Sequence, residues 1–316
     1  MNKLEISVIV PVYNEEENIT LLFKKIRESL LEFRKSFEVI FVNDGSTDSS
    51  CKVLAGICEG NQDVTVIDLI KNYGKAAALE QGFKTARGEY IVTIDSDLQY
   101  DPKDIPVLIR ALEKGADVAS VKRINRLDPM STIAFSKVYN TLLRIVCGLP
   151  FDDYFSGFRC YKKYVLDYLN LNGNLIRFIP VFAFREGFKV VEIPLKHYPR
   201  IHGVSKYDFS KRFLLALLDI IVVLTMYTLN KNRMFFLGMG SLILLGVGIT
   251  VLTLSFLLCG PEKSVLTNPF GVAGIIVTFL SVQTLILKKL WDAYFVRYHE
   301  GHEIRERNVK NISKSE

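Results

Sequence analysis

Histidine and cysteine are scarce in this chain: four and five in 316 residues. Cys51, Cys58, Cys147, Cys160 and Cys259 show neither metal-ligand spacing nor a disulfide framework, so they read as free thiols in a reducing compartment. His197, His202 and His299 have no ligand spacing around them and read as structural or surface residues rather than a zinc site. A cleaved-leader pattern is missing too, because Met1-Asn2-Lys3-Leu4-Glu5 enters an apolar strand directly. Internal repeats and low-complexity linkers are absent. A net charge of +6 is too modest to call for nucleic acid, and membrane topology accounts for it better.

Long apolar runs are plentiful. Met234 to Cys259 carries no charge over 26 residues, and Ser264 to Leu287 none over 24. A helix needs about 20 apolar residues to cross a bilayer. One such run could be a core helix; two in tandem around a short polar turn predict a transmembrane hairpin over residues 234–287. Phe213 to Asn230 is apolar except for Asp219, with Lys211 and Arg212 before it and Lys231 and Arg233 after it. Crossing would translocate one basic pair, against the positive-inside tendency, so residues 210–233 read as an amphipathic helix in the interface. Lys288, Lys289 and Arg297 follow the second crossing. Both termini, including a tail at 288–316, are therefore expected in the cytoplasm with residues 1–209.

Within those 209 residues apolar strands alternate with amphipathic helices. Strands are expected at Ile6–Val12, Phe37–Val42, Val64–Leu69, Tyr90–Ile94, Asp117–Val121 and Lys189–Pro194. Helices are expected at Glu15–Phe33, Ser46–Cys58, Lys75–Arg87, Pro102–Lys114, Ser131–Val146 and about Lys162–Asn170. This alternation predicts an α/β fold with a mostly parallel sheet covered on both faces, whose ligands bind beyond the carboxyl ends of the strands. Three polar motifs fall at such ends: Pro11-Val12-Tyr13-Asn14-Glu15, Asn43-Asp44-Gly45-Ser46 and Asp95-Ser96-Asp97-Leu98-Gln99. In extended chain Asp95 and Asp97 share a face and Gln99 follows them. Two carboxylates and an amide oxygen suit Mg²⁺ or Mn²⁺, which complete their shell with water and phosphate oxygens. Asp101 and Pro102 read more simply as the entry to a helix.

Taken in order, these motifs resemble family-2 glycosyltransferases of GT-A fold, in particular the polyprenyl-phosphate (dolichyl- or undecaprenyl-phosphate) hexosyltransferases. The residues that carry the resemblance are Val10 to Glu16, Val42 to Asp48, Asn72-Tyr73-Gly74-Lys75, Asp95 to Gln99, Ser156-Gly157-Phe158-Arg159, and Arg200, Gly203, Ser205, Lys206 and Tyr207. They span roughly residues 5 to 210.

The resemblance implies roles. Pro11, Tyr13, Asn14 and Glu15 would hold the nucleotide base and ribose, as would Asp44. Lys75, at a helix start, Ser96, Arg200 and Lys206 would meet the donor diphosphate. Asp95, Asp97 and Gln99 would bind the metal. Arg123, Ser136, Arg159 and Ser205 would serve the acceptor phosphate, although relatives often have a basic residue where Thr132 stands here. Asp153 would lie near the reacting centre, as a base toward a sugar hydroxyl or as an orienting group toward a phosphate that is already ionised. Asp152 reads as structural.

The implied reaction is inverting, metal-dependent transfer of a hexose, glucose or mannose, from a UDP- or GDP-sugar to a polyprenyl phosphate at a membrane. Self-association through the hairpin stays open. One alternative is extension of a lipid-diphosphate-linked glycan or a polysaccharide. Against a polymer synthase stand the short membrane region and the lack of a Gln-x-x-Arg-Trp motif. The other is a non-catalytic scaffold binding lipid or sugar nucleotide.

Overall fold

The structure, a computed structural model, describes residues 4–124, 136–137, 139–141, 144, 151–154, 156–169, 173–200, 231–259 and 268–312. The chain divides into two compact units, Met1–Ala216 and Leu217–Glu316. Of the expected interfacial helix at 210–233 only 231–233 are described; Ser205, Lys206, the hairpin turn and most of the expected helix at Ser131–Val146 lie outside the described residues.

The first unit is built on one seven-stranded sheet. Its strands are β1 (Ile6–Val12), β2 (Phe37–Asn43), β3 (Val64–Asp68), β4 (Tyr90–Thr93), β5 (Val118–Ile124), β6 (Arg159–Lys162) and β7 (Val190–Lys196). They lie in the order β3-β2-β1-β4-β6-β5-β7, and β6 alone runs against the others. All seven residues of β1 are buried. A central parallel strand covered on both faces is apolar throughout rather than alternating. The expected α/β architecture is present, and six strands fall within two or three residues of their expected bounds. Strand β6 was not expected: Arg159 to Lys162 is short and carries two cations, and its place comes from pairing with β4 and β5.

Helices α1 (Ile19–Phe33), α2 (Ser50–Glu59), α3 (Lys75–Thr85), α4 (Ile105–Glu113), α5 (Lys163–Leu169) and α6 (Ile179–Arg185) belong to the same unit. Helix α1 buries Ile19, Leu22, Phe23, Ile26 and Leu30, a three-and-four spacing that places one stripe on the sheet. Phe23 meets Phe41 of β2 edge to face, centroids 6.2 Å apart. Two helices start four residues later than their sequences suggest. Asn14 has φ 52° and does not cap α1; its side chain and amide bond to Ser46 and Thr47 instead, which keeps both segments out of helix. Asp101 does cap, accepting the Lys103 N–H at the 3₁₀ turn Pro102–Asp104.

In the second unit α7 (Lys231–Cys259) and α8 (Pro269–Ile312) pack against one another. Gly238–Leu257 and Pro269–Leu290 are long and apolar enough to cross a membrane. A Cβ on Gly248 would sit 2.5 Å from Thr278 Oγ1, so the helices touch where a side chain is missing. Asn268 donates to Ser255 Oγ at 2.9 Å, tying the start of α8 to α7. Helix α8 continues unbroken to Ile312, through the segment expected as a tail.

Phe41 is fully buried. Phe41→Ala is expected to cost about 3–5 kcal/mol and to lower the melting of the first unit by about 6–20 °C. Calorimetry of the detergent-solubilised chain checks this, and an unchanged transition would contradict the assignment of Phe41 to the core.

Candidate active site

The sheet reverses its order between β1 and β4, and the polar motifs gather at that switch point. Val12 pairs with Asn43, and Asn43 with Asp68, so the ends of β1, β2 and β3 lie level. Beyond them opens a crevice of about 570 Å³, lined among others by Tyr13, Asn43, Ser46, Asp68 and Lys71. That volume is in the usual range for a small-molecule site. Its wall is cross-braced. Asn43 donates to Asp68 Oδ1 at 2.8 Å, and Asn14 Oδ1 accepts the Thr47 N–H at 2.7 Å.

Pro11, Glu15 and Asp44 are buried. Glu15 accepts from Asn18 Nδ2 at 2.6 Å, and its amide donates to Ser50 Oγ. Asp44 accepts the N–H groups of Tyr73 and Gly74 at 2.8 and 2.9 Å, one on each oxygen. It thereby fixes the loop that delivers Lys75 to the start of α3. Burial pushes the Asp44 carboxyl up, and the two amides oppose that.

Lys75 pairs with Asp95. Asp97, largely buried, pairs with Arg200 at 2.7 Å and accepts the Gln99 N–H at 3.2 Å. Burial first, and the Asp95 charge second, push the Asp97 carboxyl up; Arg200, the Gln99 amide and Lys75 pull against them. Ser96 between the two aspartates is buried, and Leu98 after them takes φ 57°, a conformation costly for a leucine. Gln99 donates its amide nitrogen to the Tyr198 carbonyl at 3.4 Å and accepts the Tyr198 N–H at its own carbonyl. Asp97 and Gln99 therefore stay registered to the segment that carries Arg200.

Because β6 is antiparallel, Ser156 to Phe158 enter the sheet at this same edge, with Arg159 opposite Thr93. A Cβ on Gly157 would lie 2.4 Å from Asp95 Oδ2 and 2.6 Å from Lys75 Nζ. A side chain at this position would press on the charged ends of that ion pair. Ser156 bonds to Tyr100 Oη at 2.9 Å, and the Tyr100 ring meets Phe158 and His197, each at 5.3 Å. Burial holds the Tyr100 hydroxyl well above its ordinary pKa; Arg123 opposes this, and Asp153 and Asp95 add to it. Tyr100 thus stands between two charged groups of residues.

The second group is centred on Asp153. Arg123 closes a two-pronged fork on it, Nε to Oδ2 at 2.6 Å and Nη2 to Oδ1 at 2.8 Å, and both are largely buried. Asp152 beside it pairs with Lys122 and Arg144 at the surface, in keeping with a structural role. Arg159 is buried; its Nη1 and Nη2 donate to the carbonyls of Arg177 and Tyr154, bracing the chain around Asp153, while Nε finds no partner among the described residues. Ser136 is buried. Glu192 of β7 went unnoticed in the sequence, as did the crevice-lining Asp68. The only available signal for Glu192 was a lone acid in the run Val190-Val191-Glu192-Ile193-Pro194-Leu195.

Among the described residues no three His, Cys, Asp or Glu side chains form a ready-made metal cage. The donor set is two hard carboxylates whose repulsion burial intensifies, and a divalent cation relieves that strain. Asp95 and Asp97 therefore fit Mg²⁺ or Mn²⁺ completed by substrate phosphate.

Comparison with known proteins bears on this arrangement. Undecaprenyl-phosphate 4-deoxy-4-formamido-L-arabinose transferase of Aeromonas hydrophila is 32% identical over 285 residues, covering 89% of this chain and 85% of that protein. The protein of the same name from Klebsiella pneumoniae is 32% identical over 310 residues, covering 96% and 91%. Among solved structures, glucosyl-3-phosphoglycerate synthase from Mycobacterium tuberculosis, in complex with Mn²⁺, UDP and phosphoglyceric acid, superposes with a TM-score of 0.56. It is 20% identical and covers 71% of this chain and 78% of its own, a likeness of fold. The family model described as Glycosyl transferase family 2 matches residues 7–169, more than half of the chain. The chain belongs to glycosyl transferase family 2.

Proposed function

We propose that this chain transfers a sugar from a nucleoside-diphosphate sugar to a polyprenyl phosphate at a membrane, with inversion at the anomeric carbon. The observation that carries the reading is the adjoining of three features at one sheet edge: the crevice of about 570 Å³, the Asp95–Asp97 pair and the Arg123–Asp153 fork. The relatives named above, which use undecaprenyl phosphate by name, support the acceptor class.

In this reading the crevice takes base and ribose, and Tyr13 is its aromatic wall. Asp95 and Asp97, with the Gln99 oxygen, would hold Mg²⁺ or Mn²⁺, which supplies charge neutralisation to the leaving diphosphate. Lys75 and Arg200, which now pair with those aspartates, are within reach of the same diphosphate oxygens. The acceptor phosphate needs no general base, since its second ionisation lies near 6. That suits Asp153, whose two oxygens are both engaged by the Arg123 guanidinium. Asp153 instead orients Arg123 toward the phosphate. An acceptor oxygen attacks the anomeric carbon, the bond to the nucleoside diphosphate breaks, and the configuration inverts.

The two apolar helices read as a bilayer hairpin, with residues 1–209 and both termini on the cytoplasmic side. The donor sugar is the finer question. A hexose such as glucose or mannose follows from the sequence resemblance, whereas the two relatives are named for a modified pentose.

Transfer from radiolabelled UDP- and GDP-sugars to undecaprenyl and dolichyl phosphate tests the reading, with hexoses and 4-deoxy-4-formamido-L-arabinose among the donors. A mild-acid-labile glycolipid is expected with Mn²⁺ or Mg²⁺, none with EDTA, and a loss of about a thousandfold or more in Asp97→Ala. Transfer only to a glycosylated lipid would move the chain to glycan extension, and donor binding without turnover on any acceptor would make it a scaffold. Gly157→Ala is expected to displace the Lys75–Asp95 pair and to lower transfer about twofold to tenfold. Its melting should stay close to that of the parent chain, and transfer at the parent rate would show that the glycine is not required.

A further inference from the structure

Glu192 sits in the middle of β7, opposite Ser120 of the parallel neighbour β5. Its carboxylate crosses to the loop before β6, where Oε2 accepts the Asp152 N–H and Oε1 the Asp153 N–H, both at 2.8 Å. Two successive amides on one carboxylate fix the backbone at the residue whose side chain enters the Arg123 fork. Arg123 lies on β5, three positions beyond Ser120. Asp153 is therefore gripped twice, by β7 through its backbone and by β5 through its carboxylate. The cavity beside this junction, lined by Ser120, Asp153, Tyr154 and Glu192 among others, measures only about 10 Å³. That is room for one water at most, so the loop has little slack.

A buried acid tying down a loop would be unremarkable if the loop were only structural. Here the tie ends on a carboxylate that grips Arg123 with both oxygens. We propose that Glu192 is a positioning residue for the acceptor half of the site, setting where Asp153 holds the Arg123 guanidinium. The inference rests on the reading of Arg123 and Asp153 as that acceptor half. Burial pushes the Glu192 carboxyl up; the two amides it accepts oppose this, and the charges of Asp152 and Asp153 add to it. Removing its charge therefore relieves repulsion but also loses an acceptor.

Glu192→Gln is the informative variant, because it keeps the size and turns an NH₂ group toward one of the two amides. The full-length chain in lipid nanodiscs is assayed with undecaprenyl phosphate and the donor found above, for Glu192→Gln, Asp153→Asn and the double variant. Nucleotide affinity and melting are measured alongside. A fall in kcat of about tenfold to a hundredfold is expected in Glu192→Gln, with nucleotide affinity within about twofold. In the Asp153→Asn background the same change should cost less than about threefold more, because both act through one group. Full multiplication of the two losses overturns the inference, as does a loss that falls equally on nucleotide affinity. A parent-like Glu192→Gln beside a crippled Asp153→Asn overturns it alone. A parent-like Asp153→Asn overturns the acceptor reading and the inference together. Should Glu192→Gln fail to fold, Glu192→Asp, too short to reach both amides, is read by the same criteria.

Discussion

Two aspartates side by side at the end of a buried strand repel one another, and much of the first unit is arranged around containing that repulsion. Unit charges a few ångströms apart interact by several kcal/mol at the low effective dielectric of a protein edge. Burial of Asp97 makes the conflict worse, as its raised pKa records. Lys75 from α3 and Arg200 from beyond β7 each neutralise one carboxylate. Asp44 holds the loop before α3, Gly157 leaves space beside the Lys75–Asp95 pair, and β6 runs antiparallel so that Gly157 reaches this end of the sheet. A divalent cation brought by a diphosphate would take over the same task and release both cations to the phosphates. In the structure both carboxylates are already balanced by the protein's own cations.

The second charged group follows the same logic with a different partner. Asp153 and Arg123 neutralise one another in a fork, and Glu192 holds the backbone beneath them. Tyr100, packed between Phe158 and His197, lies within electrostatic reach of both groups. The two charged groups thus share one aromatic neighbour. A long isoprenoid leaves a bilayer only at high cost, which gives a reason for the apolar hairpin that follows the catalytic unit in sequence.

Much of this was legible in the sequence because it lies at strand ends. An apolar run that stops at Asp95, or at Asn43-Asp44, marks both the strand and the place where its polar residues emerge. The parts that were not legible depend on tertiary pairing. Arg159 to Lys162 has no strand signature of its own, and only β4 and β5 make it β6. Asn14 and Ser46 look like helix caps in the sequence, yet they bond to one another's segments and the helices begin four residues later. Arg123 was expected at the acceptor phosphate and Asp153 near the reacting centre; that one would hold the other could not be read from residues thirty apart. Glu192 is a single acid in a strand, and no local pattern says that it reaches a loop forty residues upstream in sequence.

The most direct measurement is the position of Mn²⁺ in crystals of the chain grown with Mn²⁺ and a nucleoside diphosphate, located by its anomalous scattering. A peak is expected in coordination contact with Asp95, Asp97 and the diphosphate, with Lys75 drawn from Asp95 to a phosphate oxygen. A nucleotide bound in the crevice with no metal at the aspartates, and with both ion pairs intact, would contradict that expectation.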